Sequence, residues 1–160
     1  MENRLKHSVR IVLGFIALLC VIELLERSMG LRLYRFGVFP GELQGLPGIL
    51  FAPLIHGSWS HLAANSSALL ILGTTLLYGY PRTAIPVIVL VYIGSGIGVW
   101  LFARDSFHFG ASGLTHGVMF FVFTAGILRR DRLSIALAMI VFLLYGSMVW
   151  SIFPQQQGIS

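Results

Sequence analysis

Charged residues and cysteines are both scarce in this sequence. Only 11% of its 160 residues are Asp, Glu, Lys or Arg, whereas a soluble domain has about 25%. The one cysteine, Cys20, lies inside an apolar run, so an intrachain disulfide is excluded. The sequence also lacks an HExxH motif and a pair of neighbouring cysteines, and its histidines therefore do not indicate a metal centre.

Acidic residues are fewer than basic ones, 6 against 11, and the net charge is +5. A basic balance can indicate nucleic-acid binding, but here the basic residues stand in short segments between apolar runs. That distribution is typical of membrane topology and not of a nucleic-acid patch. We therefore expect a lipid bilayer as the partner of this chain and no nucleic acid.

Apolar residues dominate what is present: 56% of the chain is hydrophobic and the mean hydropathy is +0.85. A helix needs roughly 20 residues to cross the bilayer core, and only a helix satisfies its own backbone there. We predict an all-α membrane protein, a polytopic helical bundle in one domain over residues 1–160, without repeats. Five apolar runs predict its spans: residues 9–25, 61–80, 85–103, 112–128 and 133–150.

The basic residues divide unevenly between the two sides of these spans. The side with more Lys and Arg is normally cytoplasmic, so the N-terminus is predicted in the cytoplasm. The first run has no small-residue cleavage site, which indicates a retained span. The pattern favours a bacterial inner membrane. Seven basic residues fall on the predicted inner side, Arg4, Lys6, Arg10, Arg82, Arg129, Arg130 and Arg132, and four on the outer side, Arg27, Arg32, Arg35 and Arg104.

The first outer loop, residues 27–60, is long and unusually apolar for a loop. Pro40, Pro47 and Pro53 divide it into short pieces. Loops of this length are often functional. Their aromatic and leucine content predicts a loop that lies partly embedded in the outer membrane interface.

Ser112 lies between glycines, in Gly110-Ala111-Ser112-Gly113, where the fourth apolar run begins. Glycine lets neighbouring backbone approach closely. A serine in the first turn of a helix lies beside unpaired N–H groups and the positive end of the helix dipole, which favour a developing negative charge. The pattern fits a nucleophile that reacts through an oxyanion. The alternative is that Ser112 is an N-cap residue and the glycines are packing residues.

His61 and Asn65 are four residues apart near the outer end of the second run, and both project from one helix face. Polar groups at this depth are costly and usually face the protein interior. Both side chains can donate hydrogen bonds to an oxyanion. His56 lies five residues before His61 and could be either structural or functional.

Small residues predict close helix packing at two places. Gly94, Gly96 and Gly98 surround Ser95 in the third run, and Gly113 and Gly117 form a GxxxG pair in the fourth.

The stretches HGSWSHLAANSSALLILG (residues 56–73) and GASGLTHG (residues 110–117), with the long first loop, resemble the rhomboid family of intramembrane serine proteases. The resemblance covers nearly the whole chain. It implies that Ser112 is the nucleophile, that His61 and Asn65 line the oxyanion hole and that His56 supports them. It further implies cleavage of transmembrane protein substrates near the outer membrane face, without a metal or organic cofactor.

The sequence departs from the family pattern at its end. The family's catalytic base is a histidine on a sixth helix, and the sequence stops at Ser160, in what would be the loop before that helix. We therefore expect five of the six core helices and a rhomboid-like domain that is incomplete at its C-terminus. Either the sequence is a fragment, or it is a base-less, non-catalytic relative that binds transmembrane helices.

His116 follows Ser112 by four residues, so its side chain can lean back toward the serine. It is a weak candidate for a substitute base, and a polar packing residue otherwise. His108 lies in a short outer turn that we expect to be flexible and solvated. Without a sixth helix, the Gly113/Gly117 seam is expected to be unpacked. A transporter or channel is disfavoured, because no inverted repeat is visible.

Overall fold

The computed structural model describes residues 2–146. This part of the chain is nearly all helical, and its one backbone bridge outside the helices joins Val38 to His108. The predicted all-α membrane bundle is confirmed. The helices are α1 (Glu2–Ser28), α2 (Gly48–Phe51), α3 (Trp59–Gly79), α4 (Ala84–Phe102), α5 (Ser112–Arg129) and α6 (Arg132–Tyr145), with short 3-10 turns at Leu33–Phe36, Leu43–Gly45 and Ala52–Leu54.

Each of the five predicted apolar runs forms a helix. By length and composition, three of them, α1, α3 and α4, are long and apolar enough to cross a membrane. In α5 the polar residues Ser112, Thr115 and His116 occupy the first two turns. The end of the fifth run, residues 147–150, and the predicted outer loop, residues 151–160, lie outside the described residues.

Helix α5 lies at the centre of the bundle, in contact with α3, α4 and α6, while α1 packs against α3. Its inward side chains Val118 and Val122 are buried in one apolar core with Leu72 and Leu76 of α3. Side chains on the outside of the bundle remain uncovered: Leu90 of α4 is 73% exposed and Leu128 of α5 is 74% exposed. Apolar side chains on both the inside and the outside are what a helix surrounded by lipid requires.

The GxxxG seam of α5 packs against α4. A Cβ added to Gly113 would lie 2.9 Å from the Ser95 hydroxyl oxygen, and one added to Gly117 would overlap Val91. The prediction that a missing sixth helix leaves this seam unpacked is therefore wrong. Of the three clustered α4 glycines, only Gly96 makes a close approach, and its neighbour is Ile49 of the first loop.

The first loop is attached to α4 by hydrogen bonds. The Gly41 N–H donates to the Trp100 carbonyl (3.0 Å), the Trp100 indole donates to the Glu42 carbonyl (3.0 Å), and the Tyr92 hydroxyl donates to the Leu50 carbonyl (2.5 Å). Many of its apolar side chains point away from the bundle, and Leu43 is 78% exposed. These exposed groups agree with the interfacial location predicted for the loop.

Candidate active site

Ser112 is the first residue of α5. The N-cap position belongs to Ala111, and no side chain caps this helix end. The alternative in which Ser112 is the N-cap residue is therefore wrong. The serine side chain is exposed, and the backbone N–H groups of the first turn have no carbonyl partner inside the helix. An acceptor placed beside Ser112 meets both these donors and the positive end of the helix dipole.

Gly110 brings the backbone before Ser112 against the second histidine of the 56–73 stretch. Its φ is +113°, and a Cβ at this position would lie 2.7 Å from Cε1 and 2.8 Å from Nε2 of His61. The same point is 3.7 Å from Nδ2 of Asn65. Glycine is thus required here twice, for its backbone conformation and for the space taken by the imidazole. The structure thus brings the His61 and Asn65 side chains together beside Gly110, which precedes Ser112 by two residues in the sequence.

The beginning of α3 holds these two side chains. Ser58 is its N-cap, and the Ser58 hydroxyl accepts the His61 N–H at 3.1 Å. The Asn65 amide group donates to the His61 carbonyl at 3.2 Å and is only 6% exposed. A carboxamide NH₂ carries two hydrogens, and this bond uses one of them.

His56 is buried beside His61, with the ring centroids 5.1 Å apart and the planes at 61°. Neither ring nitrogen has a hydrogen-bond partner among the described residues. Burial and, second, the neighbouring His61 lower the pKa of His56 to about 4, and the Leu54 backbone opposes this shift to a smaller extent. His56 is therefore uncharged at neutral pH, as suits a supporting residue under the first loop.

His108 and His116 are placed differently from one another. His108, which we expected in a flexible and solvated turn, has a fixed backbone: it pairs with Val38, with both hydrogen bonds at 2.9 Å. Its ring is partly exposed and contacts the Arg104 carbonyl at 2.9 Å. Nδ1 of His116 lies 2.7 Å from the Ser112 carbonyl oxygen. The His116 ring therefore leans back toward Ser112, as its spacing predicted, but its Nδ1 contacts the backbone carbonyl of that residue.

A cavity of about 380 Å³ opens beside Ser112. Its polar wall includes Ser112, His61 and Ser95, and its apolar wall comes from the first loop and α4. A pocket of this kind can hold a short extended segment whose carbonyl lies near the serine. Among residues 2–146 no cluster of three His, Cys, Asp or Glu side chains could hold a metal ion.

Some site features could not be predicted from the sequence. Ser95 contributes to the cavity wall and lies against Gly113, but its small-residue surroundings indicated only helix packing. An ion pair between Glu23 and Arg27 at the outer end of α1 also reaches the site region. Two charged residues at a helix end ordinarily indicate nothing more than the membrane interface.

Comparisons with known proteins match a region that contains both of these stretches. Residues 44–160 match the Rhomboid domain family. The chain is 33% identical to uncharacterized proteins of Mycobacterium tuberculosis and Mycobacterium bovis over 149 residues, which cover 89% of the chain and 62% of each relative. An uncharacterized protein of Mycobacterium leprae is also 33% identical, over 89% of the chain and 59% of its own length. No solved structure matches significantly.

The chain thus spans about three fifths of the length of these curated relatives. The family match includes all of the residues that surround Ser112 from α3, α4 and α5. With the helical bundle and its apolar spans, this match establishes that the chain is an integral membrane protein and a member of the rhomboid family.

Proposed function

We propose that this protein is an intramembrane serine endopeptidase that cleaves transmembrane segments of membrane proteins near the outer membrane face, with Ser112 as the nucleophile. One observation carries the proposal. The His61 ring lies against Gly110 in the cavity that Ser112 lines, and the Asn65 amide lies 3.7 Å from the point that a Cβ on Gly110 would occupy. Two hydrogen-bonding side chains from one helix are thereby brought to the N-terminus of another.

This arrangement suits stabilisation of an oxyanion. When the Ser112 hydroxyl attacks a carbonyl carbon, negative charge develops on the carbonyl oxygen. The Ser112 N–H, the His61 ring and the second Asn65 amide hydrogen can then all donate to it. Removing a single donor of this kind typically costs about 10²–10³-fold in rate. His56 supports His61 from behind as a buried, neutral ring.

The general base is the remaining requirement. Within this proposal, residues 1–160 belong to one rhomboid-like domain, and a histidine on a sixth membrane-spanning helix, which is not one of α1–α6, takes the Ser112 proton. His116 is the weaker candidate, because its Nδ1 contacts the Ser112 carbonyl oxygen. The N-terminus lies in the cytoplasm of a bacterial cell, so the site opens toward the outer face of the inner membrane.

A fluorophosphonate probe tests the proposal on the protein expressed from its own gene, in native membranes. We expect labelling of the wild type and of the control Ser67→Ala, whose serine lies on α3 and bonds within its own helix. Ser112→Ala should not be labelled. A co-expressed membrane protein whose transmembrane segment is cut by the wild type but not by Ser112→Ala would establish the substrate class.

The proposal is overturned if the probe does not react with the wild type, or if Ser112→Ala is labelled equally. Absent labelling together with retention of transmembrane partners would support the non-catalytic, helix-binding alternative.

A further inference from the structure

An ion pair with one buried member lies at the outer end of α1. The Glu23 side chain is 1% exposed, and its Oε1 is 2.6 Å from Nε of Arg27, one turn later. A buried carboxylate is costly to desolvate, and an apolar residue of similar volume would often pack as well. The contribution of such a pair can instead lie in its geometry, which can hold a neighbouring segment in place.

The Arg27 guanidinium makes a second contact, outside its own helix. Its Nη2 donates to the Gly57 carbonyl at 3.2 Å, thirty residues further along the chain. A guanidinium is planar and presents its donors in a fixed fork, so Glu23 at one nitrogen sets the direction of the others. Glu23 thereby aims Arg27 at Gly57 and connects α1 to the segment that enters α3.

Gly57 lies between the two supports of His61. The residue before it, His56, packs its buried ring against the His61 ring. The residue after it, Ser58, accepts the His61 N–H as the N-cap of α3. A shift of the Gly57 carbonyl therefore moves both of the contacts that place His61 against Gly110.

The turn at residues 56–58 is packed on one side and open on the other: His56 is 3% exposed, and a Cβ added to Gly57 would lie 3.2 Å from the Phe109 ring. A cavity of about 610 Å³ adjoins it, lined by Glu26, Arg27, Tyr34, His56, Gly57 and Phe109 among others. Because this side is open, few van der Waals contacts there restrain the Gly57 backbone. On the cavity side, the Arg27 guanidinium adds a polar contact to the Gly57 carbonyl.

We propose that Glu23 and Arg27 are positioning residues for His61: the buried Glu23 carboxylate orients the Arg27 guanidinium, which holds the turn at residues 56–58 and so keeps the His61 ring against Gly110. The inference rests on the proposed function for its catalytic consequence. Its structural part, that the pair holds the turn, can be tested independently.

The first measurement is amide hydrogen exchange at residues 58–62 in the membrane-embedded protein. Glu23→Gln keeps the shape but removes the charge, and Arg27→Lys keeps the charge but has a single ammonium in place of the fork. Both variants should raise exchange at the His61 amide about tenfold or more. The matched control is Glu2→Gln, which breaks a pair of the same spacing and length, Glu2–Lys6 at 2.6 Å, at the exposed end of the same helix. It should leave exchange at residues 58–62 unchanged.

The second measurement is the kinetics of fluorophosphonate labelling. We expect the maximal labelling rate constant to fall about tenfold or more in both variants, because a misplaced donor weakens transition-state stabilisation. The half-saturating probe concentration should stay constant, a division that general destabilisation would not produce. Low concentrations of guanidinium, which fits the adjoining cavity, should partly restore labelling to Arg27→Ala but not to Glu23→Gln.

The outcomes separate the two proposals. Unchanged exchange in Glu23→Gln and Arg27→Lys overturns the positioning role, whatever the labelling shows. Increased exchange in a protein whose wild type is never labelled supports the structural role and overturns the protease function. If exchange rises but labelling of a reactive wild type is unaffected, His61 is not held by this turn, and the inference fails in its catalytic part.

Discussion

Replacing Gly110 by alanine would put a methyl group where the His61 ring now lies. The new Cβ would be 2.7 Å from Cε1 and 2.8 Å from Nε2, whereas an unstrained contact needs about 3.4 Å or more. The ring must therefore retreat by about 0.7 Å to clear Cε1, or the backbone must change from its φ of +113°. Alanine held at the present φ costs about 1–3 kcal/mol, and we expect the free energy of unfolding to fall by that amount.

The reactivity of Ser112 should fall much further than the stability. A donor displaced by about 1 Å can cost about 10²-fold in rate, so we expect Gly110→Ala to slow fluorophosphonate labelling by about 10²-fold. The control is Gly94→Ala on α4, where an added Cβ has no heavy atom within 4 Å. Labelling should be unchanged in that variant, and its thermal unfolding midpoint should not fall, because alanine favours the helix more than glycine does. If Gly110→Ala is labelled at the wild-type rate, His61 has no part in the chemistry at Ser112.

Three further predictions concern the site and its supports. Asn65→Ala removes one oxyanion donor and should slow labelling of Ser112 by about 10²-fold or more; an unchanged rate would exclude Asn65 from the site. Gly117→Leu should separate α5 from Val91 and lower the thermal unfolding midpoint, by an overpacking cost of about 1–3 kcal/mol; an unchanged midpoint in detergent would show that this seam is not tightly packed. The pKa of His56, lowered from 6.5 to about 4, means that the unfolded chain binds more protons between these values. Stability should therefore fall by at most about 3 kcal/mol as the pH decreases from 6.5 to 4; the pH dependence of the unfolding midpoint should be weaker in His56→Phe, and an equal slope would contradict this assignment.

The helices themselves could be predicted from residue order. Apolar length specifies a spanning helix, because lipid offers no partner to an exposed backbone amide. The His61/Asn65 spacing likewise determines that both side chains share one face of α3. The family resemblance then proposed their role, which the geometry beside Gly110 supports and which awaits the labelling experiment.

Contacts between distant segments could not be predicted in the same way. The Gly113/Gly117 seam was predicted to face a missing helix, yet it packs against α4. A GxxxG pattern specifies that some helix can come close, but it carries no information about which one. His108 was similarly assigned to a loose turn, although its backbone bonds to Val38, seventy residues earlier.

Local chemistry along the chain thus determined the membrane-embedded helices, the glycine-flanked serine and the polar face of α3, since each depends on neighbours within a few residues. Only the tertiary structure decided that His61 lies against Gly110 and that Arg27 reaches Gly57. The physical reason is that these contacts join segments from different helices, and their distances depend on how the whole bundle packs.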